Sequence, residues 1–182
     1  MDKKFIWFVV KFLVLFGIFY FGTLAVIGLA APGKYYSPFI EQYLDYVSWI
    51  KQSLIWGVRQ LSAVFGYETF TQPNFTVRVK GGAAVLIAMN CVGYGVYSFW
   101  AAYVIANDGK LWGKIPWVIG GLLLLWIINV IRITAVLIAL QKGKAMPLGI
   151  DHHTWFNIVA YGFIFLMIWM FERKQKINRK ER

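Results

Sequence analysis

The chain has 182 residues, 59% hydrophobic and 15% charged, with 19 Lys and Arg against 8 Asp and Glu and a net charge of +11. A charged share below the usual ~25% marks a membrane protein of one domain, and the basic excess reads as the cytoplasmic flanks of spans. No nucleic-acid-binding motif accompanies it, which excludes nucleic acid as a partner, and the single cysteine, Cys91, excludes an intrachain disulfide framework and a cysteine-rich metal site.

The first element is residues 12–30, FLVLFGIFYFGTLAVIGLA, long enough for a bilayer that takes ~20 apolar residues. Lys3 and Lys4 precede it, and Lys11 can extend back to the same surface. A secretory signal would carry an apolar core of only ~7–15 residues, so residues 1–31 are expected to form a retained anchor. Pro32 and Gly33 end the span.

Residues 34–88 are the expected outer segment. Phe39, Leu44, Val47, Ile50, Leu54, Val58, Leu61 and Phe65 recur three to five apart, with Glu41, Asp45, Lys51 and Arg59 between them. That spacing predicts an amphipathic helix with a wet face, lying on the membrane surface or packed on the bundle. Next, Phe75, Val77 and Val79 alternate with polar residues, and Gly81-Gly82 can make a tight turn. A short β-hairpin is expected there, although its second arm, residues 83–89, also reads as the start of a helix.

Residues 89–171 hold the expected catalytic spans. Residues 91–106 are short for a span and can borrow from 85 onward; 115–140 can cross with tilt; 156–171 are extended back to Thr154. Residues 172–182 form a basic tail. The expected fold is therefore an all-α polytopic membrane protein with about four transmembrane helices, an amphipathic outer helix and a short β-hairpin. Four spans put the N-terminus, the turn holding Lys110 and Lys114, and the tail on one side. The positive-inside rule makes that side cytoplasmic, with Lys142 and Lys144 outnumbered on the other. The chain is expected in the cytoplasmic membrane as a multi-pass protein with both termini inside.

This arrangement brings chemically active residues to one depth near the outer face. Cys91 opens the second span. Arg132 lies in the outer half of the third, ~12 Å short of Leu140 at ~1.5 Å per residue. Asp151, His152 and His153 open the last. Arginine stays charged when buried, so Arg132 must face protein, water or a counter-charge. Asn129 shares its helical face and can orient it. The structural alternative is an ion pair within the bundle, yet the spans offer no acidic partner: Asp108 lies at the wrong end and Asp151 at the outer rim.

A lone cysteine in an apolar helix is most often a small inert hydrophobe. Cys91, however, is expected at a helix N-terminus, where the dipole favours a thiolate. Gly93 and Gly95 follow; they either admit a substrate backbone or serve helix packing. His152 and His153 are the only histidines, and adjacent histidines point different ways on a helix, so no metal site is expected. Asp151 can cap the last helix or orient an imidazole. Thiol, imidazole and guanidinium together read as nucleophile, base and electrostatic stabiliser.

These residues resemble the motifs of a known family. NCVGYGVYSF is similar to the Cys-x-Gly motif of the exosortase/archaeosortase family. NVIRI, residues 129–133, resembles its Asn-x-x-Arg motif, and HTWFNIVAY, from His153, its final histidine motif. The order Cys, Arg, His agrees, and the resemblance covers roughly residues 77–171. Many members have more spans, so the chain resembles a short form. Asn157 stands four residues after His153 where the family often has Gly; the motif selects His153 over His152.

The resemblance implies a membrane-embedded cysteine protease acting as a transpeptidase, without cofactor or metal. Its substrates would be exported proteins with a C-terminal tripartite sorting signal: a short motif, one transmembrane helix and a basic end. Membrane lipids are the other expected partner. Cys91 would attack the peptide bond, His153 would move the proton, and Arg132 would stabilise the oxyanion or thiolate. Asn129, Gly93, Asn157, His152 and Asp151 would support them. Two rivals remain. One is a non-catalytic membrane subunit of a polysaccharide or secretion complex, with Arg132 as an anion or partner site. The other is a small transporter, against which the lack of paired half-helices counts.

Overall fold

The computed structural model describes the backbone of residues 3–33, 35–143 and 152–180, and their side chains except those of Asn90, residues 152–157, Ala160, Gln175 and residues 177–180. The described chain is mostly helical with a small sheet. The order is α1 (Lys3–Ala30), α2 (Pro38–Tyr43), α3 (Tyr46–Val64), β1 (Thr69–Gln72), β2 (Thr76–Val79), β3 (Ala84–Leu86), α4 (Met89–Val92), α5 (Tyr94–Ala106), α6 (Leu111–Gln141) and α7 (His152–Lys180). Among the described residues, two helices, α1 and α6, are long and apolar enough to cross a membrane.

Helix α1 is apolar on every side, and only Thr23 and Ala30 are buried along it. Its contact with the bundle is an aromatic ladder running antiparallel along α5. Phe8 meets Tyr103, Phe12 meets Phe99 and Tyr20 meets Tyr94, with ring centroids 5.8, 5.3 and 5.4 Å apart. Such offset and edge contacts add to the area they bury.

The expected amphipathic helix is two helices. The chain breaks at Leu44, and Asp45 caps α3 by accepting from the Ser48 N–H at 3.0 Å. Val47, Leu54 and Val58 are fully buried, and α3 packs on α6, where the Trp126 indole N–H donates to Ser53 Oγ at 3.0 Å. Phe39, Leu44 and Phe65 fall outside the stripe and are exposed, because the break and the helix end turn them away. The wet face also needs correction. Arg59 and Glu41 are exposed, but Lys51 is buried. It sits four residues after Val47 and three before Leu54, so helical geometry carries it onto the core face.

The hairpin of β2 and β3 forms with Val77 opposite Val85, turning where the Gly82 N–H donates to Val79 O. A third strand, β1, pairs on its other side in the order β1-β2-β3. Val77 and Val79 point to the core and Arg78 away, its guanidinium bonded to Gln72 and the Gly82 carbonyl. Gln141, at the end of α6, accepts the Ala83 N–H at 2.7 Å and ties the sheet to the bundle.

The far end of the bundle gathers other groups. Lys11 approaches Asp108 at 4.0 Å, and the Tyr103 hydroxyl donates to Glu172 at 2.7 Å. Phe171 packs on Trp117. The start of α1, the α5–α6 turn and the last third of α7 therefore share one end, away from the sheet.

Helices α5 and α6 meet at Gly121, where an added Cβ would lie 1.9 Å from Trp100 Nε1. That indole is fully buried and donates to Trp117 O. Gly121→Ala should cost about 1–3 kcal/mol through overpacking, lowering the melting temperature in detergent. Gly120→Ala, with open space at its Cβ, should be neutral or slightly stabilising.

Candidate active site

Cys91 lies in the single turn α4, which ends at Gly93 in the left-handed region (φ 78°). A side chain would strain this position, so glycine lets the chain reverse here before α5 begins at Tyr94. The consequence corrects an expectation. The start of the long helix belongs to Gly93 and Tyr94, and the Gly93 carbonyl accepts its first bonds, from Val96 and Tyr97. Cys91 precedes that start by three residues, in a turn of its own. The two glycines also separate: a Cβ on Gly95 would meet Tyr20 of α1 at 3.5 Å, which is helix packing, whereas Gly93 has open space.

Cys91 is 8% exposed and joins a core cluster with Leu54 and Val58 of α3, Val77 of β2, and Val130 and Ile133 of α6. Its carbonyl is held from α6. Asn129, 1% exposed, donates its Nδ2 to Cys91 O at 2.6 Å and to Val92 O at 3.4 Å. With the amide nitrogen so committed, Oδ1 points the other way, and Arg132 Nη1 approaches it at 3.4 Å. The second contact is long and therefore weak. Even so, the Cys91 main chain, the Asn129 amide and the Arg132 guanidinium form one connected line across α4 and α6.

Beside this line lies an apolar cavity of about 320 Å³ between α1, α3, α5 and α6. Val92, Tyr94 and Tyr97 bring its wall next to Cys91, and Val47, Ile50 and Trp126 close the far side. At its edge the Tyr46 hydroxyl donates to Thr23 Oγ1 at 2.7 Å, which in turn donates to Phe19 O.

Lys51 is a residue that sequence reasoning misplaced. It is 5% exposed, and its ammonium lies over the Phe75 ring, 4.6 Å from the centroid. Burial pushes its amine below the usual lysine value, while the charges of Asp45 and Cys91 act in the opposite direction. The signal for it was its place on the Val47–Leu54–Val58 stripe.

His152 and His153 begin α7, and Asn157 lies in its second turn. Their side chains, and Asp151 altogether, lie outside the described residues. The structure thus joins the Cys91 main chain, Asn129 and Arg132 through hydrogen bonds, and leaves the histidine assignment where the sequence put it. No family model, curated protein or solved structure matches the chain.

Replacing Asn129 by Leu should strand two buried carbonyls at a cost of about 1–3 kcal/mol. A thermal melt of the purified protein reads this directly; a change within error would mean the amide is not what holds α4 on α6.

Proposed function

We propose that the chain is a membrane-embedded cysteine protease of the transpeptidase type, acting on C-terminal sorting signals of exported proteins near the outer face of the cytoplasmic membrane. One observation carries this reading: the bonds from the Cys91 main-chain carbonyl through the Asn129 amide to Arg132, which hold the turn that bears the thiol against the turn of α6 that bears the guanidinium. The resemblance of the motifs around the same residues to those of the exosortase/archaeosortase family supports it.

In this reading α1, the α4–α5 segment, α6 and α7 are four spans. Both termini and the α5–α6 turn lie inside, and α3 and the sheet lie outside. The Cys91 thiolate attacks the scissile carbonyl and forms a C–S bond. Negative charge then develops on the carbonyl oxygen, where Arg132 stabilises it in a medium of low dielectric. His153 receives the thiol proton and returns it to the departing amine as the C–N bond breaks. The resulting thioester passes its acyl group to an acceptor amine or to water, and the thiol is restored. The apolar cavity beside Val92 suits an apolar substrate segment.

A second reading has one observation in its favour, the burial of Cys91 among aliphatic side chains. There the chain is a non-catalytic subunit and Arg132 binds a partner carboxylate or a lipid phosphate.

Processing of a co-expressed sorting-signal substrate separates the two. Cys91→Ala should abolish it and Arg132→Ala should lower it at least about 100-fold, with both variants inserted at normal abundance. His153→Ala should be far more damaging than His152→Ala. Normal processing by purified Cys91→Ala ends the catalytic reading.

Topology has its own measurement. A reporter fused after Arg182 should be cytoplasmic. An external signal would place Cys91 and Arg132 on the wrong face.

A further inference from the structure

The contacts of α2 and α3 fix how deep the segment after α1 reaches. A bilayer takes ~20 residues of a spanning helix. Helix α6 has 31 residues, Leu111–Gln141, so windows of that length run from 111–130 to 122–141 and all share residues 122–130. Those residues lie in the hydrocarbon layer wherever α6 is set along its own axis.

Helix α3 packs on that stretch. Ser53 Oγ accepts from the Trp126 indole at 3.0 Å. One turn further on, a Cβ added to Gly57 would lie 2.7 Å from Val130 Cγ2 and 3.0 Å from the Trp126 ring, so the two backbones approach closely, as small residues allow between membrane helices. About one turn earlier, Ile50 lines a cavity with Leu122 and Trp126. A step of four residues on α3 matches a step of four on α6, so the helices run side by side in one direction. A helix lying flat on the membrane would meet α6 at a single level.

The way in is marked on α1. The Ser37 N–H donates to Leu29 O at 2.8 Å, and the Tyr46 hydroxyl donates to Thr23 Oγ1 at 2.7 Å. Thr23 is six residues before Leu29, or ~9 Å along the helix. Between these ties α2 descends and the chain turns at Leu44 and Asp45. A broken backbone at membrane depth must be satisfied within the protein, and this one is. The Leu44 N–H donates to Ile40 O, the Tyr46 N–H to Leu44 O, and the Ser48 N–H to the Asp45 carboxylate. The Asp45 charge is thereby set against the N-terminal dipole of α3.

The surface of this hairpin changes with depth. From 43 to 56 its exposed residues are Tyr43, Leu44, Tyr46, Trp49, Gln52 and Trp56, none of them charged. Lys51, in the same stretch, turns inward over Phe75. Exposed charge returns at Arg59 and Glu68.

We propose that α2 and α3 form a re-entrant hairpin sunk in the outer leaflet, its Tyr43, Trp49 and Trp56 side against lipid, with headgroups towards Arg59 and acyl chains at the turn. The proposal rests on the four-span reading above and uses none of its chemistry. Helix α3 stays on the outer side of the spans, but only its end and the sheet emerge into water.

Spin labels report depth. Cys91→Ala removes the one native thiol, and single cysteines then replace Trp49, Trp56 or Val64, all exposed at the protein surface. Leu123→Cys, on the exposed side of α6, is the reference. In phosphatidylcholine–phosphatidylglycerol vesicles, the label at Trp49→Cys should be reached by dissolved oxygen and shielded from a water-soluble nickel chelate. Val64→Cys, fifteen residues or about 20 Å further along α3, should show the reverse, with Trp56→Cys between them. Equal depths at the three positions, or water around all of them, overturn the proposal while Leu123→Cys stays in lipid. Water around Leu123→Cys overturns the four-span reading itself, and the hairpin with it.

If the Cys91→Ala chain does not insert, two arginine substitutions in the otherwise native chain decide. Trp49→Arg should cut the inserted amount several-fold, because it sets a guanidinium among acyl chains, and Val64→Arg should leave it unchanged. Equal yields overturn the proposal.

Discussion

The structure around Cys91 depends on one buried amide. Reversing the chain at Gly93 takes the Cys91 and Val92 carbonyls out of the helical ladder. Within a low-dielectric bundle an unsatisfied backbone group costs several kcal/mol, so a broken helix is tolerated only where protein repairs it. Asn129 makes the repair with a single nitrogen. Because that residue is three before Arg132 on the same helix, the repair also sets the register between the Cys91 main chain and Arg132. The break and the cation are thus one feature, held by α6.

Among the described residues, two buried cations and one half-buried one meet the same electrostatic problem in different ways. Lys114 is satisfied by the carbonyls that terminate α5, a structural solution. Arg132 keeps part of its side chain accessible and shares an amide oxygen. Lys51 rests on an aromatic face, which returns only part of what an ammonium loses with its water.

Periodicity carried much of the architecture. Continuous apolar runs announced α1 and α6, the alternation of Val77 and Val79 announced β2, and the three-residue spacing of Asn129 and Arg132 put them on one face. Other features depend on contacts remote in sequence. Strand β1, TFTQ, has no alternation of its own; its identity comes from pairing with β2. The Asn129–Cys91 bond joins residues 38 apart. The break at Gly93 interrupts a stretch whose hydropathy is continuous. For Lys51, residue type and position disagreed. Charge pointed to water and helical spacing pointed to the core; the spacing decided, because α3 is pinned on both sides of it by Val47, Leu54 and Val58.

Helix α3 also faces two media. Its inner stripe covers the site, while Trp49 and Trp56, seven residues apart and therefore on one side, are exposed at 57% and 60%. Exposed indoles on one helix face suit the headgroup layer of a bilayer. The inner face of α3 places Leu54 and Val58 in the cluster that buries Cys91. The apolar cavity between α1, α3, α5 and α6 reaches Val92, beside Cys91, and α1 is left exposed along almost its whole length. The segment between α1 and α4 is therefore more than a connector: its aliphatic side chains bury Cys91, and it carries Lys51.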